Sequence, residues 1–577
     1  MQEDAAVESS VAIERSSRVE QKVVERSSLE FWLPLLCILV LASFLRLYAL
    51  SIYPQRFNQD EMLLGYDAWS IWTTGHDHHG AFLPIFFRSY NDYNPPVANY
   101  IAALFVGILG LSEFSTRLPF ALMGIVTIFL VALLGRRWFN SATGLVAALL
   151  LTIDPWHVNF SRVAFPSSCV PFFTVVSLYC FTRGTSLFAM KEQKGLTALL
   201  WLVGSALSFA LLTGSYSTMK LEAPLLLCAC AFAVIPCMRN NLSRLGWTDF
   251  LIWLALYGLL VSPLAITQLQ GWYQIQTRFN HLTIINQPNW LILFFFEYIA
   301  AYSLYLLSFA GFGGSVAVYP QGVGNLFWLE GVLFIFALIG ILKNRYCSRQ
   351  VGFSMRILLV VWLMTFPIAS SLTIHSPHDV RTYNFLPLPE ILAGYGAVVA
   401  WDIVGRYRWL WFSVGMVVLL LFNWVFLSFY FSAPLLQTDV TADQFPYNVG
   451  LKPVLTTVMQ QVKPCDTVWL EPATDRLDNQ TYMYYLFLMR YPPSRFQSSR
   501  AQEVDTQLDL YTSVGQVHFA IPGAQESLVS LPAGCKGKPS RTFFITRTAL
   551  AGPEWQQIVA VRNHAGVAIW QGLVKRI

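Results

Sequence analysis

The sequence predicts an α-helical polytopic membrane protein, with about 11 transmembrane helices plus interfacial helices, ending in a C-terminal soluble α/β domain. Three observations lead there. Of 577 residues, 55% are hydrophobic and only 12% charged, where a soluble globular chain carries about 25% charged residues. Apolar runs of membrane-spanning length recur from residue 31 to residue 431. After Tyr430 the hydropathy drops and short strand-like and helix-like segments alternate.

Residues 1–30 are polar and charged, with no apolar core or small-residue cleavage site, and read as a disordered cytoplasmic tail. The membrane domain, residues 31–433, contains apolar runs at 31–50, 118–134, 142–153, 167–182, 196–213, 221–237, 249–267, 326–342, 357–373, 385–401 and 409–431. Two further stretches, 96–111 and 290–310, are apolar but ambiguous. Short cytoplasmic loops carry an excess of Lys and Arg, and this rule separates the alternatives. With both stretches lying in the interface, one side gathers Arg15, Arg18, Lys22 and Arg26, then Arg136 and Arg137, then Arg183, Lys191 and Lys194. Arg239, Arg244, Lys343, Arg345, Arg349, Arg356, Arg406 and Arg408 follow on the same side. The other side holds only Arg56, Arg88, Arg117, Arg162, Lys220, Arg278 and Arg381. The N-terminus is therefore expected in the cytoplasm of a bacterial inner membrane and the C-terminal domain outside it. This topology puts all nine histidines on the outer side.

Residues 434–577 are expected to fold as an extracytoplasmic α/β domain. Its strands are "DTVWL", "VHFAIP", "TFFITR" and "VAIWQGL", and its helices "LKPVLTTVMQQV" and "TYMYYLFLMR". An oxidising compartment would allow Cys465 and Cys535 to pair, or leave them free. The other seven cysteines lie in or beside apolar segments without metal-ligand spacing and read as small buried hydrophobes.

The net charge of +5 is modest and the basic residues are scattered between apolar runs, which argues against nucleic acid as a partner. Chemistry instead concentrates in three outward segments. Residues 51–95 form a long first loop that places Asp60 and Glu61 at a membrane helix mouth, then carries Arg88, Tyr93 and Asn94. Carboxylates at membrane depth are costly and mark function. "TIDPWHVNFSRVAFP", residues 152–166, contributes Asp154, His157 and Arg162; "HSPHDVRTYNFLPLP", residues 375–389, contributes His378 and Arg381. Guanidinium groups bind phosphate oxygens bidentately, and a carboxylate accepts a proton from an attacking hydroxyl. Acids and arginines on one membrane face therefore suit glycosyl transfer from a lipid-linked sugar phosphate.

The chain resembles the GT-C membrane glycosyltransferases. Within them it is similar to the bacterial family 39-like branch, related to dolichyl-phosphate-mannose protein mannosyltransferases and to the aminoarabinose transferase of lipid A. The resemblance is carried by "NQDEMLLGYDAWSIWTTGHDHHG" (58–80), "YNPPVANY" (93–100), "LSEFSTRLPFALMG" (111–124), "DPWHVNFSRVAFP" (154–166) and "PHDVR" (377–381), with "NQTYMYYLFLMRYPPSRFQ" (479–497) in the soluble domain. It implies an acid at the reacting centre matching Asp60, beside Glu61, and a second acid matching Asp154. The family's "KPP" lysine, expected to meet the donor phosphate, is Asn94 here. That role is therefore expected of Arg88, Arg162 and Arg381, with Tyr93, Asn94, His157 and His378 as further substrate-binding candidates.

The implied activity is an inverting transfer from a polyprenyl-phosphate sugar donor to a lipid, glycan or protein acceptor at the outer membrane face. No cofactor is required by this chemistry; a divalent metal, if used, would find His76, His78 and His79. A lipid-linked sugar transporter or flippase would show inverted repeats and broken helices, which the sequence lacks. An oligosaccharide ligase or polymerase would use the same arginines on larger donors.

Overall fold

The structure, a computed structural model, describes residues 29–55, 57–89, 92–189, 195–239, 246–271, 282–303, 307, 324–343, 354–432, 448–472, 481–498, 503–505, 510–520, 535, 539–547, 553–563 and 566–576. The expected tail falls almost wholly outside these residues.

The membrane part is helical as predicted: α1 (Leu29–Leu47), α2 (Gln59–Thr74), a hairpin of β1 (Phe87–Ser89) and β2 (Asp92–Asn94), then α3 (Val97–Leu109) and α4 (Glu113–Trp138). They are followed by α5 (Ser141–Ile153), α6 (Pro155–Ser161), α7 (Val170–Ala189), α8 (Gly195–Thr213), α9 (Met219–Arg239) and α10 (Trp247–Gln270). The last are α11 (Trp290–Ala300), α12 (Trp328–Leu342), α13 (Met355–Thr365), α14 (Leu388–Val404) and α15 (Arg408–Ser432). Each of the predicted apolar runs has a helix. By length and apolarity six helical segments among the described residues can cross a membrane, or seven if α5 and α6, bent by 63° at their junction, make one span. Pro155 ends α5 there, since it cannot donate to the preceding turn.

The longest helix not anticipated is α2. Residues 59–74, expected as part of a loop, form α2, started by a capping box in which Asn58 Oδ1 accepts from Glu61 N–H at 2.9 Å and Glu61 Oε2 accepts from Asn58 N–H at 3.4 Å. This reciprocal pairing satisfies two amides that a helix start leaves without partners.

Helices α4, α5, α12 and α14 pack at backbone distance. A Cβ on Gly144 would overlap the Ala132 carbonyl, and one on Gly396 the Leu333 carbonyl. Small residues permit such approach, which carries much of the packing energy between apolar helices.

The C-terminal part is the expected α/β domain. Helix α16 (Leu451–Met459) precedes β3 (Thr467–Leu470), α17 (Thr481–Leu488), α18 (Pro493–Ser498), β4 (Glu503–Asp505) and β5 (Leu510–Tyr511). Strands β6 (Ser513–Val514), β7 (Val517–His518), β8 (Arg541–Thr546), β9 (Gln556–Arg562) and β10 (Ala568–Arg576) complete it. A six-stranded mixed sheet runs β6-β7-β3-β8-β10-β9, with β3 parallel to β7 and β8 and the remaining pairs antiparallel. Strand β9, at the sheet edge and mostly polar or half-buried, was not anticipated. Cys465 and Cys535 form a disulfide.

The domain docks on α2. Tyr66 donates to the Tyr491 carbonyl at 2.8 Å, and Gln497 Nε2 donates to Ser70 Oγ, Thr74 Oγ1 and the Asp77 carbonyl at 3.0, 3.2 and 2.7 Å.

Candidate active site

A cavity of about 400 Å³ lies between α2, the β1–β2 hairpin, the start of α9 and the segment preceding α14. Helix α2 presents Asp60, Leu63, Leu64 and Asp67 to it, a spacing of three, four and seven residues that aligns side chains on one helical face. Asp60 sits in the first turn, where the positive end of the helix dipole favours a carboxylate. Asp67 accepts from His78 twice, from Nδ1 at 2.6 Å and from the backbone N–H at 3.0 Å. Behind it, burial and then the Asp67 charge hold the Asp77 carboxyl above the usual range.

The hairpin faces the cavity with alternate residues. Ser89 pairs with Asp92 and Phe87 with Asn94, and all four line it. Arg88 and Tyr93 are the pair between them and are not in the lining, because successive strand side chains point to opposite faces. Two cations enter from elsewhere: Lys220, whose Nζ lies 4.7 Å from the Phe86 ring centre, and Arg381, whose Nη1 donates to Thr373 Oγ1 at 2.6 Å and to the Ile374 carbonyl at 2.9 Å. Leu221, Leu282 and Leu372 make the neighbouring wall apolar.

Of the expected site residues, Asp60, Asn94 and Arg381 thus meet at one cavity. The others are placed differently. Glu61 is fully buried and receives both Nε and Nη2 of Arg117 at 2.8 Å, plus the Ala164 N–H at 2.9 Å. Arg162 is also fully buried; its Nη1 donates to the Leu45 carbonyl at 2.7 Å and its Nη2 to those of Tyr48 and Tyr53 at 2.8 and 3.0 Å. It thereby serves a carbonyl in the last turn of α1, a group every helix end leaves unsatisfied, and two in the segment that follows. His157 lies 2.7 Å from Arg46, which in turn binds the Thr152 and Leu151 carbonyls at the end of α5. Asp154 caps α6, its Oδ1 accepting from His157 N–H at 2.6 Å, and does not line the cavity. His378 Nδ1 is 3.2 Å from its neighbour Asp379 and is likewise outside the lining. His76, His78 and His79 turn to separate partners, the Thr74 carbonyl, Asp67 and Tyr511, and form no common ligand set.

Asp67, Asp92 and Lys220 were not anticipated as cavity residues. The α2 stripe was legible, since Asn58 and Glu61 have capping-box spacing and Asp67 follows Asp60 by two turns. Lys220 carries no such signal, because its approach to the hairpin is set by how α8 and α9 pack.

The fold, a bundle of apolar helices with a C-terminal α/β domain, has counterparts among known proteins. Among solved structures, ArnT from Cupriavidus metallidurans bound to undecaprenyl phosphate matches with a TM-score of 0.55 at 12% identity, over 95% of this chain and 98% of that one. Residues 93–266 match the family model for dolichyl-phosphate-mannose-protein mannosyltransferase. An uncharacterized protein of Aquifex aeolicus (strain VF5) is 32% identical over 136 residues, 23% of this chain and 26% of its own. The putative mannosyltransferase YycA of Bacillus subtilis (strain 168) is 27% identical over 150 residues, 26% of this chain and 20% of its own. This chain therefore spans about a quarter and a fifth of the length of the two curated relatives it matches.

Proposed function

We propose that the protein is an inverting glycosyltransferase that moves a sugar from a polyprenyl-phosphate carrier to an acceptor hydroxyl. The observation that carries this reading is the single cavity holding Asp60 together with Lys220 and Arg381 beside an apolar wall. Asp60 takes the proton of the acceptor hydroxyl as its oxygen attacks the anomeric carbon. The bond from that carbon to the phosphate oxygen breaks on the opposite side, its electron pair leaves with the phosphate, and the configuration inverts. Lys220 and Arg381 stabilise the charge arriving on the phosphate, the kind of electrostatic term that dominates such barriers. Lys220 brings from α9 the positive charge that Asn94 does not offer from the hairpin. Leucines around the cavity suit the first isoprene units, and the undecaprenyl phosphate bound to the similar ArnT supports a carrier of that class. The charge asymmetry of the loops and the disulfide support a bacterial inner-membrane enzyme whose cavity and C-terminal domain face outward.

The test is transfer by detergent-purified protein with a short-chain polyprenyl-phosphate sugar. Asp60→Asn should lower turnover by about 10²- to 10⁴-fold, the usual loss of a general base, while Lys220→Met and Arg381→Met should weaken donor binding. Near-parent turnover in Asp60→Asn, with donor binding unchanged in both cation variants, would overturn the reading.

A further inference from the structure

Outside the cavity, three carboxylates meet inside the helical bundle. Asp154 comes from the α5–α6 junction, Glu330 from the first turn of α12 and Glu390 from the first turn of α14, with one carboxylate oxygen of each lying within 4.8 Å of the others. Their exposures are 0, 2 and 0%. Asp154 Oδ2 and both oxygens of Glu330 and of Glu390 have no hydrogen-bond partner among the described residues. Buried charges are retained where they are paired or coordinate a metal. Here the only described cation acting on Asp154 is Arg46, whose Nη atoms are already held by Leu151, Thr152 and His157. Arg46 is thus the one described cation beside three acids.

We propose that Asp154, Glu330 and Glu390 bind one hard divalent cation, of Mn²⁺ or Ca²⁺ type, as a structural centre separate from the cavity. Oxygen-only ligands select hard cations. Oxygens facing each other across Ca²⁺ are about 4.6–5.2 Å apart, twice the metal–oxygen distance, which the spread of this triad accommodates. Two of the acids lie at helix N-termini, where the dipole favours the ionised form that a metal needs. The frame is stiff as well: a Cβ on Gly394 would lie 2.7 Å from the Thr143 carbonyl, and one on Gly396 would overlap the Leu333 carbonyl. The ion would tie α5, α12 and α14 together at one end, and its presence does not depend on the glycosyl-transfer reading.

The experiment uses the full chain in detergent, stripped with EDTA, loaded separately with MnCl₂ and CaCl₂, freed of excess salt and analysed for bound metal by mass spectrometry and for melting temperature. The expected result is a single retained ion and a raised melting temperature in the parent. Both should be lost in Glu330→Gln and in Glu390→Gln and kept in Asp60→Asn. If the Gln variants do not fold, the parent measurement still decides. A parent that retains neither cation, with an unmoved melting temperature, overturns the proposal, and so does an ion lost with Asp60→Asn but kept in both Gln variants.

Discussion

Asp60 and Glu61 are adjacent in the chain and face opposite surroundings, because each helical residue turns its side chain about 100° from the last. Asp60 meets the cavity, whereas Glu61 meets Arg117, which also donates to the Leu50 and Pro54 carbonyls at 3.1 Å and so ties the end of the first span to the start of α2. Breaking a buried ion pair by removing one partner typically costs about 3–5 kcal/mol. Glu61→Gln should therefore lower the melting temperature markedly, while Asp60→Asn leaves it near the parent value. Fluorescence-monitored unfolding of both variants in the same detergent checks this contrast. The paired acids were visible in the sequence, but their division of labour was not: it depends on a guanidinium 56 residues away.

At the level of elements, the α2 face opposite its cavity stripe is an interface. A Cβ on Gly65 would lie 2.7 Å from Thr116 Oγ1 and 2.8 Å from the Phe487 ring, so α2 is pressed between α4 and the helix α17 of the C-terminal domain. Overfilling such a contact costs about 1–3 kcal/mol. Gly65→Ala should loosen the domain and speed proteolytic cleavage between the bundle and the domain, read as fragment yield over time on gels; a cleavage rate equal to the parent's would show that the contact yields without cost. A second arrangement links α1 with α5 and α6. Arg46 of α1 serves the last carbonyls of α5, and Arg162, at the end of α6, serves the Leu45 carbonyl of α1 and the Tyr48 carbonyl just past it. Read along the chain, Arg162 is an outward-facing cation after a span, as a phosphate ligand would be. Only the approach of α1 supplies the carbonyls that occupy it.

For the whole molecule, the C-terminal domain packs on α2 while the disulfide joins residues 70 apart within it. Cross-linking a chain segment restricts its unfolded ensemble, with a typical stabilisation of about 2–4 kcal/mol. Replacing Cys465 and Cys535 together by Ser should lower the melting temperature of the domain and make the parent's sensitivity to reductant disappear. Equal unfolding of parent and double variant under reducing and oxidising conditions would show that the bridge contributes nothing.

By itself the sequence determined the class of the fold, the helices that follow its apolar runs, the alternation of elements after residue 434 and the association of Asp60 with Arg381. These are local properties: hydropathy over a window of residues, a period of two or 3.6, and the charge of a short loop. The tertiary structure alone decided which polar residues share a cavity. Lys220 enters beside a hairpin more than 120 residues before it. Asp154 turns away to meet Glu330 and Glu390. Glu61, Arg162 and His157 are taken up by packing. The physical reason is that a polar side chain is assigned by the groups that satisfy it. In a helical bundle those groups come from segments distant in the chain, brought within hydrogen-bond reach only by the packing of whole helices.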